Sequence, residues 1–301
     1  MTNAAVELID AHKRYGSVEA VKGVNVAIHP GELVAMLGPN GAGKTTSINL
    51  MLGLRKPTSG RARLFGLDPD DRRARSRCGV MLQDSGVPDT LTVRELVELF
   101  TSYYPHPMSP DRAIGLAGLD QQAKRQAGKL SGGQRQRLYF ALAVCGDPEL
   151  IFFDEPTVGM DVESRRSFLD SIREFGREGK TIVLTTHYLE EADELAERVI
   201  VIDRGVVIAD ASPAEIKSHV VGRRVSFTTS QPLSEGDLRG LPYSRLDLDR
   251  NRVRLFSNAP EAVLRELFSR GVEIRDLQVV GADLEEAFLA LTTEAEKETV
   301  A

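Results

Sequence analysis

The stretch Gly38-Pro39-Asn40-Gly41-Ala42-Gly43-Lys44-Thr45-Thr46 decides how the first part of this 301-residue chain must fold. It fits the pattern G-x-x-x-x-G-K-[ST]. The apolar run Leu33–Leu37 precedes it, and a helical pattern follows from about Thr46 to Leu52. A strand, a glycine-rich loop and a helix in that order open a parallel α/β sheet. The glycines let backbone N–H groups converge on a phosphate without Cβ obstruction, and the helix N-terminus adds partial positive charge. Lys44 brings a full positive charge to β- and γ-phosphates, and the Thr45 hydroxyl suits Mg²⁺. All nine positions are therefore candidates for holding a nucleoside triphosphate.

Working outward, Val6–His12 and Val24–His29 alternate like exposed antiparallel strands, with a turn at Tyr15-Gly16. Downstream, Thr92-Val93-Arg94-Glu95 has capping-box spacing, and Leu96, Val97, Phe100 and Tyr103 continue one apolar face. A second helix is predicted from Gly132 to Val144. Buried strands are predicted at Leu150–Phe153, Thr181–Thr185 and Val199–Ile202, alternating with helices at Val162–Phe175 and Leu189–Ala196. Such alternation requires a parallel sheet covered on both faces. Beyond residue 215 the pattern changes to strands at Arg224–Thr229, Arg252–Phe256 and Glu273–Val279 and helices at Pro260–Ser269 and Leu284–Thr292, the last opened by Asp283 and Glu286. The expected organisation is a domain over residues 1–214, with a helical subdomain at about 84–147, and an accessory α+β domain over 215–301.

Two further motifs carry chemistry. Leu150-Ile151-Phe152-Phe153-Asp154-Glu155-Pro156 is an apolar strand ending in adjacent carboxylates, a poor terminus to bury without a cation. Asp154 suits Mg²⁺, and Glu155 suits orienting and deprotonating a water. Leu130-Ser131-Gly132-Gly133-Gln134 opens the second helix; taken alone, it is equally a helix cap or an anion site.

Together, the phosphate loop, the LSGGQ stretch and Asp154-Glu155-Pro156-Thr157 make residues 6–214 resemble the ATPase subunit of an ATP-binding cassette (ABC) transporter. The resemblance implies an ABC-type P-loop fold with a parallel core sheet, an N-terminal antiparallel β-subdomain and a helical subdomain. It implies a homodimer in which Ser131, Gly132, Gly133, Gln134 and Asp161 of one protomer complete the ATP site of the other. It also gives Tyr15 the adenine-stacking position, Gln83 a place on Mg²⁺ or water, and His187 a contact with the γ-phosphate. Glu155, His187, Lys44 and Gln83 are then the catalytic set, Thr45, Gln83 and Asp154 the metal set, with ATP and Mg²⁺ as cofactors. The segment after Gln83, about Asp84–Pro107, is where such subunits dock a membrane permease; Leu99–Tyr104 is either that contact or core. The tail containing Leu284-Glu285-Glu286-Ala287-Phe288-Leu289 resembles extensions of export-type subunits. The alternative is a non-transport ABC ATPase in a soluble assembly. Against it stand a single cassette and the lack of heptad insertions between the motifs.

Composition narrows the class. The 42% hydrophobic and 27% charged residues are globular proportions, which exclude extensive disorder. The net charge of −6, without a basic stripe, disfavours nucleic acid as a partner. Only two cysteines occur, Cys78 and Cys145, outside any metal-binding spacing, and are expected to be reduced. The longest stretch without Asp, Glu, Lys or Arg, Leu99–Pro110, is too short and proline-rich to span a bilayer. No signal peptide is visible, so the expectation is a cytoplasmic chain held peripherally at the inner face of the membrane through its permease.

Overall fold

The computed structural model describes residues 4–82, 86–218, 222–281 and 283–300. The chain divides into two compact units, Met1–Pro213 and Ala214–Ala301. In chain order the first contains β1 (Val6–Tyr15), β2 (Val18–Ile28), β3 (Leu33–Leu37), α1 (Lys44–Met51), β4 (Ser59–Leu64), α2 (Arg72–Arg75), β5 (Cys78–Met81), α3 (Val93–Thr101) and α4 (Pro110–Leu116). It continues with α5 (Gly132–Val144), β6 (Leu150–Asp154), α6 (Val162–Arg177), β7 (Thr181–Thr185), α7 (Leu189–Leu195), β8 (Arg198–Asp203) and β9 (Val206–Ala211).

The main sheet runs β5-β6-β7-β3-β8-β9, parallel throughout except that β9 returns antiparallel to β8. Every residue of β3, β6 and β7 is buried, as strands covered on both faces require. The sheet order has a direct consequence for function. Although β3, β6 and β7 are far apart in sequence, they are neighbours in space, so the loops leaving their carboxyl ends meet at one edge. Open α/β sheets bind ligands at such an edge.

A second sheet, β2-β1-β4, is antiparallel. Its first strand departs from the expected exposed alternation: Val6, Glu7 and Leu8 are all buried, and the register with both neighbours shifts after Leu8 or Ile9. Asp10 at φ 44 lies at this irregularity. The pairing is regular from Val6 to Leu8, so their consecutive burial reflects cover on both faces of this end of the strand, and the bulge beyond turns the rest of the strand.

Helix α5 is docked by aromatic packing. Phe140 lies 5.8 Å from Phe153 of β6 and 5.2 Å from Phe168 of α6 between ring centroids. Such edge and offset contacts contribute roughly 0.5–1.5 kcal/mol each beyond burial. They fix the helix that begins at Ser131 relative to the strand that ends at Asp154.

The second unit holds α8 (Pro213–Ser218, shared with the boundary), β10 (Arg223–Thr229), β11 (Arg245–Asp249), β12 (Arg252–Ser257), α9 (Pro260–Ser269), β13 (Ile274–Gly281) and α10 (Leu284–Val300). Its antiparallel sheet runs β11-β12-β10-β13 over a core that includes Phe227, Leu238, Leu255, Val263 and Leu267. The Asp283–Glu286 box forms in both directions, at 3.0 and 2.9 Å, and Arg224 donates to both carboxylates. No helix among the described residues is long and apolar enough to cross a membrane.

Candidate functional site

Residues Tyr15, Ala20, 40–46, Glu155 and His187 line one cleft of about 610 Å³, within the range that holds a nucleotide-sized ligand. Its floor is the turn between β3 and α1. Helix α1 begins at Lys44, two residues before the sequence pattern becomes regular, because Gly43 is the N-cap at φ 111. A side chain at that position would sit 2.4 Å from the Ala20 carbonyl oxygen, so backbone freedom and space both require glycine. No side chain caps α1. Its first N–H groups and the positive end of its dipole are thus available to an anion.

Lys44 is buried and folded back over the loop, its Nζ donating to the carbonyls of Gly38 at 2.7 Å and Pro39 at 3.2 Å. Burial pulls its pKa below the ordinary lysine value, opposed by the charges of Glu155 and Asp154. The arrangement holds the ammonium over the floor of the cleft.

Asp154, at the end of β6, is 2% exposed. The Thr185 hydroxyl donates to its Oδ1, and Thr45 Oγ1 approaches the same oxygen at 3.5 Å. Its Oδ2 is buried with no hydrogen-bond partner among the described residues. A buried carboxylate oxygen without a donor is unfavourable unless a cation faces it. A hard cation held by one carboxylate, a hydroxyl and substrate phosphates matches Mg²⁺ preferences. Gln83 lies outside the described residues.

Glu155 follows in a left-handed conformation, φ 51, which costs about 1–3 kcal/mol for a non-glycine residue. Its N–H is held by both the carbonyl and the hydroxyl of Thr185, at 3.1 and 3.0 Å. The turn directs the carboxylate towards the loop after β7, where His187 Nδ1 lies 3.7 Å from Glu155 Oε2. Tyr15 stands at the rim of the cleft, 44% exposed, with Lys13 Nζ 5.2 Å from its ring centre. A half-open aromatic face of this kind can stack on a base.

The residues assigned to the opposing protomer form a separate group. Ser131 caps α5: its Oγ accepts from the Gln134 N–H at 3.3 Å while Gln134 Oε1 accepts from the Ser131 N–H at 3.1 Å. Ser131 and Gly132 are exposed, and Gly133 is partly so. Asp161 caps α6 through the Ser164 N–H and hydroxyl, both at 2.8 Å. Gln136 reaches the Val158 carbonyl at 3.4 Å, which ties the two caps together. None of Ser131, Gly132, Gly133, Gln134 or Asp161 lines the cleft.

Sequence reasoning missed Thr185, Thr157 and Thr186. Among the many threonines of the chain nothing local marks them, and their role appears only where strand ends meet.

A glycine-rich loop opens a helix at the carboxyl edge of a parallel sheet, with a buried lysine over it and a carboxylate and an imidazole 3.7 Å apart beside it. This is the arrangement of a P-loop nucleoside triphosphatase. Comparison narrows this. Residues 21–158 match the ABC transporter family model. The chain is 34% identical to the daunorubicin resistance ATP-binding protein DrrA3 of Streptomyces coeruleorubidus over 97% of both chains. It is 38% identical to the Nod factor export ATP-binding protein I of Paraburkholderia xenovorans, over 74% of this chain and 75% of that one. A dimeric post-hydrolysis ATP-binding cassette bound to ADP and Pi matches with TM-score 0.63 and 30% identity, over 69% of this chain and 98% of the other. The chain belongs to the ABC transporter family as an ATP-binding subunit, and it is an ATPase.

Proposed function

We propose that this chain powers an export system, hydrolysing ATP as a homodimer seated on separate permease subunits at the inner face of the membrane. Lys44 and the amides of residues 41–46 bind the triphosphate, and Tyr15 receives the adenine. Glu155 accepts the proton of the attacking water, and His187 hydrogen-bonds the γ-phosphate. Thr45, Asp154 and Gln83 would hold Mg²⁺, which neutralises charge on the β- and γ-phosphates. Ser131, Gly132, Gly133, Gln134 and Asp161 act in trans, so ATP closes the dimer by touching both protomers and hydrolysis releases it. Export as the direction is supported by the names of the relatives. Leu99 of α3 and Tyr103 just beyond its end support the permease contact there: they are 40% and 67% exposed, whereas Val93, Leu96 and Val97 fill the core. The residue 215–301 domain serves the dimer or permease contact and takes no part in the chemistry.

The observation that carries this reading is the 3.7 Å approach of His187 to Glu155 at a cleft floored by the phosphate loop. Glu155→Gln tests it. Turnover should fall by ~10²–10⁴, while ATP binding persists and an ATP-dependent dimer accumulates in size-exclusion chromatography. Turnover at the parental rate would refute Glu155 as the base. Co-purification with a polytopic membrane protein tests the permease assignment.

A further inference from the structure

Beneath Glu155 and His187 lies a buried carboxylate that the mechanism above does not use. Glu191, in α7, is 3% exposed. Its Oε1 accepts from the Thr157 hydroxyl at 2.7 Å, and its Oε2 accepts from the Thr186 hydroxyl, also at 2.7 Å. Thr157 stands two residues after Glu155, in the turn that leads to Asp161. Thr186 immediately precedes His187. Both threonines are buried, at about 1% exposure. One side chain therefore bridges the loops after β6 and β7.

A charge and two rings extend the bridge. Arg165 of α6 lies 3.7 Å from Glu191 Oε1, and its guanidinium sits 3.9 Å from the ring centre of Tyr188. The Tyr188 ring is in turn 4.1 Å from the His187 imidazole. His187 is thus held from two sides, through its backbone neighbour Thr186 and through Tyr188. Both supports end on Glu191.

We propose that Glu191 is a positioning residue for hydrolysis: its bidentate clamp on Thr157 and Thr186 sets the spacing of Glu155 and His187. The inference rests on the roles proposed for those two residues. A carboxylate fits the task because both oxygens can accept at once, one from each loop. Alanine removes both acceptors, so the Thr157 and Thr186 hydroxyls lose the groups they donate to. Glutamine keeps one acceptor and offers an N–H₂ to the second threonine oxygen, preserving the span while losing the charge facing Arg165.

The test is ATPase kinetics on the purified full-length chain, with the folded fraction measured by nucleotide-binding stoichiometry. For Glu191→Ala, kcat should fall by ~10–100-fold, the scale of a misplacement of about 1 Å, with KM for ATP within about threefold because the phosphate loop is untouched. Glu191→Gln should recover most of kcat. If alanine at this position prevents folding, Thr186→Val, which is close to isosteric, takes its place; it should lower kcat alone, and its effect should be non-additive with that of Thr157→Val, because losing either contact breaks the same bridge. Parental kcat in Glu191→Ala overturns the proposal. So does a loss of activity proportional to the loss of binding-competent protein, or strict additivity of Thr186→Val with Thr157→Val. Failure of the underlying roles would be seen separately: Glu155→Gln would retain turnover whatever the Glu191 variants do.

Discussion

Two helix N-termini in this molecule are built from glycine-rich sequence, and they are finished in opposite ways. At α1 the cap is Gly43, no side chain closes the end, and Lys44 is buried over it. At α5 the cap is Ser131, closed in both directions by Gln134 and open to solvent. The first is a complete anion cradle within one chain. The second has its own donors partly satisfied and lies outside the cleft, so it offers an anion only the Ser131 hydroxyl hydrogen and nearby amides. Isolated, it is a stable cap; under the proposed function it is the second half of a site completed by another protomer's phosphate.

The sharpest way to break this comparison is to disable each terminus separately. Lys44→Ala should abolish tight ATP binding and lower turnover by ~10²–10³, the loss typical of removing a preorganised charge-stabilising donor. Ser131→Ala should lower turnover by roughly 10²-fold with ATP affinity of the monomer nearly unchanged. Mixing the two variants should recover activity above either alone, because a mixed dimer pairs one intact Lys44 with one intact Ser131. No recovery, in an assay where subunit exchange is demonstrated, would mean the two termini do not share a site.

A smaller effect tests the local geometry of α1. Gly43→Ala forces a Cβ into the Ala20 carbonyl at a positive φ, and should destabilise the first unit by about 1–3 kcal/mol in denaturant titration. An equivalent substitution at Gly132, which has no positive φ, should leave stability within about 1 kcal/mol. The difference separates a terminus that needs glycine to fold from one that needs it elsewhere.

A further effect lies away from both termini and gives a baseline. Burial raises the thiols of Cys78 and Cys145 to about 12 from 9.0. The folded chain therefore keeps protons that the unfolded chain releases. This contribution to stability is complete below about pH 9 and is lost as pH climbs towards 12. Denaturation midpoints at neutral pH and about pH 11 should differ less in a Cys78→Ala, Cys145→Ala variant than in the parent.

The structure shows where sequence reading succeeds and where it stops. Helix α5 was legible to the residue because Ser131 and Gln134 announce its start, and α9 because Pro260 opens it. Buried parallel strands β3, β6 and β7 were legible as short apolar runs between turns. Strand β11, Arg-Leu-Asp-Leu-Asp, was missed: it is an edge strand whose alternating charges describe solvent as well as they describe a sheet. Strand β9 gave no sign that it would pair antiparallel in an otherwise parallel sheet. Helix α10 runs to Val300, past the expected end at Thr292, because its polar tail is rich in Glu, Ala and Lys, good helix formers that carry no apolar stripe.

The candidate site divides along the same line. Phosphate loop, capping serine and paired carboxylates are contiguous in the chain, and their chemistry depends on neighbours a few residues away, so the sequence alone marked them as candidates. The left-handed turn at Glu155, the unpartnered oxygen of Asp154 and the Glu191 clamp depend on which strand ends lie side by side. Strand order is set by burial summed over the whole sheet, a quantity no local stretch contains, and only the tertiary structure could supply it.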